Sequence, residues 1–77
     1  MDLSNFLKDI TSLGWRVVSF NTYTLNNKQY CYMMLAEKGN NGYFIKEECE
    51  IFLVDSMLLN LYMKVMEEYY KKRVDIH

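Results

Sequence analysis

The chain has 77 residues, 51% of them hydrophobic, 25% charged and none proline, with a formal net charge of −1. That length makes one domain, residues 1–77, which buries only roughly 60% of its unfolded surface, and the apolar content excludes a wholly disordered polymer. Near-neutrality excludes a general positive field for nucleic acid or anionic membranes. No apolar run reaches the ~20 residues of a membrane span.

Leu3, Phe6, Leu7, Ile10 and Leu13 recur at helical spacing and predict a first helix over residues 2–13, with Asp2 or Ser4 as N-cap and Gly14 closing it in a left-handed position. The segment from Trp15 to Leu25 is rich in β-branched and aromatic residues and reads as a strand. Asn26-Asn27-Lys28 supplies turn chemistry, after which residues 29–38 resume the extended pattern. Here Tyr30, Tyr32, Met34 and Ala36 alternate against Cys31, Met33 and Leu35, and either set can face outward. Gly39-Asn40-Asn41-Gly42 makes a second turn, and residues 43–47 make a third strand. The expected fold is α+β with the order αβββα: a three-stranded antiparallel sheet with an N-terminal helix and a long C-terminal helix on one face, in two layers. Tyr30 and Tyr32 are then candidate contacts on the open face.

Residues 50–73 are the longest periodic run. At about 100° per residue, Ile51, Phe52, Leu58, Leu59, Tyr62, Met63, Val65, Met66, Tyr69 and Tyr70 share one broad arc, which is expected to be the core face. Met57 and Leu61, with Leu53, fall outside it and form a smaller stripe, the candidate seam for a partner protein or for a homodimer. Three of the six methionines lie on this helix and suit an adaptable contact surface. Glu47, Glu48 and Glu50 fit a helix N-terminus and Lys71, Lys72 and Arg73 a C-terminus, so the helix is expected to begin near Glu50. Such a start points Asp55 into the apolar arc, where an unpaired charge is costly. If residues 51–54 are instead a fourth extended segment, Asp55 becomes an N-cap.

Catalytic chemistry has little to build on. The one histidine is His77, the last residue, where a preorganised base is not expected. The expectation is a protein without enzymatic activity or cofactor. Glu47, Glu48, Glu50 and Asp55 lack the ligand spacing of a calcium loop, so no metal site is expected. The glycine-bearing loop at residues 39–42 joins two strands and does not open a helix, so it is no phosphate cradle. Cys31 and Cys49 lack a close CxxC pairing and read as reduced, partly buried hydrophobes. Acid and base inside the apolar run MDLSNFLKDI argue against a targeting leader, and the expected location is the cytoplasm.

The element order resembles that of double-stranded RNA-binding domains, but where those carry a lysine-rich helix start this chain reads Glu47-Glu48-Cys49-Glu50. The beginning MDLSNFLKDI, the hairpin from Lys38 through Gly39-Asn40-Asn41-Gly42 to Tyr43, and the helix behind an acidic segment resemble small phage-encoded anti-CRISPR inhibitors of helix, three-strand, helix topology. That resemblance implies an inhibitor in a host cytoplasm that occludes the nucleic-acid-binding surface of a CRISPR nuclease through its acids, here Glu47, Glu48 and Glu50 with Asp55. The run from Leu13 through Gly14-Trp15 to Ser19 is also similar to the helix-to-strand junction of several small bacterial domains. The leading expectation is therefore a protein-binding module. The alternatives are a structural homodimer and a nucleic-acid binder using Tyr30, Tyr32, Lys71, Lys72 and Arg73.

Overall fold

The computed structural model describes residues 2–74, with side chains through Lys72. The elements run α1 (Leu3–Ser12), β1 (Trp15–Leu25), β2 (Lys28–Glu37), β3 (Phe44–Glu50), a single 3-10 turn (Ile51–Leu53) and α2 (Val54–Val74). The expected αβββα order is present, in an antiparallel sheet with spatial order β1-β2-β3.

Local chemistry fixes the boundaries. The Asp2 carboxylate accepts the Asn5 backbone N–H at 2.8 Å and caps α1. Gly14 ends the helix at φ +88°, a conformation that a Cβ would strain. Its carbonyl then accepts the Lys38 N–H at 2.8 Å, tying the helix end to the end of β2. Asn26 and Asn27 both sit at positive φ, 52° and 64°, which is what a two-residue turn between twisted antiparallel strands requires. A bulge at Val18 shifts the β1–β2 register between Val17 and Ser19.

The register settles which sheet face is covered. Cys31, Met33, Leu35 and Ile45 are buried, and they pack with Phe6 and Ile10 of α1, Trp15, and Met57, Leu58, Leu61 and Val65 of α2. Both helices therefore lie on one face. The opposite face carries Tyr30, Tyr32 and Met34 on its central strand, flanked across the register by Glu50, Glu48 and Lys46. Of the five apolar residues that predict α1, only Phe6 and Ile10 are fully buried; Leu13 packs at the margin, and Leu3 and Leu7 are exposed.

Two expectations are corrected. The third strand runs through Glu50, so Glu47, Glu48 and Glu50 belong to β3 and not to a helix start. Residues 51–53 are neither strand nor regular helix; they form the 3-10 turn, and α2 begins at Val54. Asp55 lies in the first turn of α2 and is exposed, so it neither caps the helix nor sits in the core, and its charge favours the helix N-terminus from solvent.

Candidate partner-binding surface

The acidic segment is dispersed by the strand it lies on. Successive side chains of a strand alternate between faces, so Glu47 points to the helix side while Glu48 and Glu50 point to the open face. Each then meets a partner within the chain. Lys64 Nζ reaches Glu47 Oε1 at 2.5 Å, and Lys28 Nζ lies 3.6 Å from Glu50 Oε1. The Tyr23 hydroxyl donates to Glu48, and that hydrogen bond is the main reason the Tyr23 pKa is pushed up to about 12. Glu47, Glu48, Glu50 and Asp55 do not form one free anionic patch.

The open face is built around Tyr23 and Tyr30, which are paired across β1 and β2 and stack with ring centroids 5.3 Å apart. Tyr32 continues the row beside Glu48. Stacking platforms for single-stranded nucleic acid combine aromatic rings with cations, whereas here the flanking residues include Glu48 and Glu50. Lys71 Nζ lies 3.7 Å from Glu68, and Lys72 pairs with Glu37. The side chain of Arg73 lies outside the described residues.

The last helix is apolar on two sides, as its sequence indicates, but the expected core arc is split between core and solvent, and most of the stripe expected outside it is buried. Met57 is 2% exposed and Leu61 0%; both are core residues, so the expected seam of Leu53, Met57 and Leu61 is not a surface. Leu53 alone of the three is exposed, in the 3-10 turn. Within the expected core arc, Leu58 and Val65 are buried, Tyr62 packs against the core and Met66 and Tyr69 are half-buried, but Ile51, Phe52, Leu59, Met63 and Tyr70 are exposed, Phe52 to 74%.

Leu59, Met63, Met66 and Tyr70 are spaced 4, 3 and 4 apart, the spacing of a coiled-coil seam. At about 100° per residue they form one stripe roughly opposite the buried one. Phe52, one heptad before Leu59, extends the line at the 3-10 turn. Tyr69 packs edge-on against Tyr70 at 5.6 Å and steadies its end. The rim holds Asp55, Ser56, Asn60 and Glu67, all exposed. Lys64, the cation nearest the middle of the stripe, is turned away and held by Glu47.

A second line of polar contacts orients the helix. Lys64, Glu68 and Lys72, four apart, meet Glu47, Tyr43 and Glu37 in turn; the Tyr43 hydroxyl donates to Glu68 Oε1 at 2.8 Å. Burial works against the Glu37 charge, and the hydrogen bonds from Lys72 and Asn40 outweigh it, leaving the Glu37 pKa below its ordinary value. These contacts keep the outer stripe facing away from the sheet. Which part of the apolar surface turns inward is signalled by this polar ladder, whose charges need partners on the sheet, and not by the count of apolar residues.

Among the described residues no group of three or more histidine, cysteine, aspartate or glutamate side chains could hold a metal ion, and no helix is long and apolar enough to cross a membrane. No family model matches the chain, and neither the curated proteins nor the solved structures contain a match.

Proposed function

We propose that this protein is a non-enzymatic protein-binding module whose contact surface is the outer stripe of α2, Leu59, Met63, Met66 and Tyr70, together with Phe52 of the preceding 3-10 turn. One observation carries the reading: α2 has already buried an apolar face in its own core, and a second, heptad-spaced one remains in solvent at Leu59, Met63 and Tyr70 and half-buried at Met66. Such a seam is complementary to an amphipathic helix. The rim supplies acids at Asp55 and Glu67 and no unpaired cation between them, so the fitting occupant is a helix with apolar heptad positions and lysine or arginine flanks. A second copy of this chain would bring the same acid-bearing rim, which favours a foreign partner over the homodimer. An inhibitor of the kind the sequence resembles would act by occluding its target with this helix. Imitation of DNA by Glu47, Glu48 and Glu50 is disfavoured, because their charges are engaged within the chain.

The test uses a synthetic 21-residue helix of leucine and lysine at heptad spacing as probe, with absolute mass in solution measured in parallel. The expected result is a monomer that binds the probe, with affinity at least tenfold weaker in Leu59→Glu/Met63→Glu. Equal binding by the double variant, or a stable dimer that the double variant dissolves, would overturn the reading; the second outcome would establish the homodimer. Leu61→Glu is unsuited to this purpose, since it places a charge in the core.

A further inference from the structure

Cys31 and Cys49 stand directly opposite each other on β2 and β3, and their Sγ atoms are 3.6 Å apart. Both are free thiols. Cys31 is fully buried, with its sulfur 3.9 Å from Met57 Sδ, while Cys49 is half-buried. Directly opposed residues of an antiparallel pair have Cβ atoms ~4.5–5.5 Å apart, and a disulfide spans ~3.5–4.5 Å between Cβ atoms. The two ranges meet at their edge, and the thiols already point at each other.

We propose that Cys31 and Cys49 form an oxidation site, a dithiol that a low-molecular-weight disulfide of the glutathione class converts into a cross-strand disulfide joining β2 to β3. The more accessible Cys49 thiolate attacks one sulfur of the small disulfide and expels a thiolate, leaving a mixed disulfide on Cys49. Cys31, as thiolate, then attacks the Cys49 sulfur and expels the second small thiolate. The two protein thiols lose two electrons and two protons; the small disulfide takes up both and leaves as two thiols. Burial, with the hydrogen bond to Cys31 second, pushes the Cys49 thiol up to about 11, so its attacking form is scarce at neutral pH. The bond would form one residue before the end of β3 and so tie the junction with the following 3-10 turn and α2 to the central strand.

Reduced protein is incubated with oxidised glutathione at pH 7, 8 and 9, quenched by alkylation, and read by intact mass and non-reducing peptide mapping. The expected product is a monomer lighter by about 2 Da, the mass of the two hydrogens lost, with Cys31 and Cys49 in one cross-linked peptide pair. Its rate of formation rises about tenfold per pH unit across the series, and its thermal midpoint is higher by on the order of 10 °C. Two alkylatable thiols remaining both in the folded chain and after refolding from urea in the same glutathione buffer would overturn the proposal. So would stable glutathione adducts or disulfide-linked dimers as the main product. A Cys49→Ser chain should show no glutathione-dependent change in thermal midpoint; a persisting change would assign the effect elsewhere.

Discussion

The inner face of α2 presents Met57, Leu58, Leu61 and Val65 to the sheet, and its outer face presents Leu59, Met63 and Tyr70 to solvent with Met66 half-buried among them. The two sets match in size and apolar character, and by transfer free energy either could form a core. What separates them is their flanks. The inner set is bordered by Lys64, Glu68 and Lys72, each of which finds a partner on the sheet, whereas the outer set is bordered by Asp55, Asn60 and Glu67. Polar residues at the margin of an apolar face can decide which way a helix turns when the apolar residues themselves do not.

The sharpest way to break the comparison is to truncate one residue on each face. Leu61→Ala, at a fully buried position, should cost about 3 kcal/mol in urea unfolding. Met63→Ala should change stability by no more than about 0.5 kcal/mol. Similar costs at the two sites would mean that the faces are not distinguished as described.

A smaller effect is expected from the margin. Glu37→Gln removes a charge-assisted contact whose Lys72 end is half in solvent, so the loss should be about 1 kcal/mol or less. Because the folded Glu37 pKa is depressed, its contribution is present above the ordinary carboxylate value of about 4.3 and is lost as pH falls through the lower folded value. Denaturation curves from pH 6 to pH 2 should therefore converge for the two chains at the acid end. Tyr43→Phe should cost less still, a few tenths to about 1 kcal/mol. The hydrogen bond to Glu68 leads burial in raising the Tyr43 pKa. This contribution is present below the ordinary tyrosine value of about 10 and is lost as pH rises through the higher folded value. A gap between the Tyr43→Phe chain and wild type that persists undiminished in alkali, above the raised tyrosine value, would remove the hydrogen bond as the cause.

Much of the fold is legible in the residues because its signals are local. Asp2, Gly14 and the Asn26-Asn27 pair each act on backbone within a few positions, and the alternation through residues 29–38 requires two sheet faces. Alternation does not say which face is covered, and the choice between the Tyr30 and Cys31 sets required the helices in place. The start of α2 was obscured because acids that suit a helix N-terminus also suit a strand whose neighbours are Lys28, Tyr23 and Lys64. The surface stripe is hard to read for a related reason. Periodicity measures how many apolar residues share a side, and the expected arc joins one edge of the buried face, Leu58, Tyr62 and Val65, to the outer stripe.

The ladder along α2 has a further effect on where the helix can rest. Met57, Leu61 and Val65 repeat every four residues, so sliding α2 along the sheet by one turn, ~5.4 Å, would seat each near the place of the next with little apolar loss. The charges forbid the slide. Moved one way, Glu68 leaves Tyr43 for Glu47; moved the other, it arrives at Glu37; either step sets carboxylate against carboxylate. The alternation of lysine, glutamate and lysine thus serves as an address that a single axial position satisfies, and it fixes how far along the molecule Leu59, Met63, Met66 and Tyr70 are displayed.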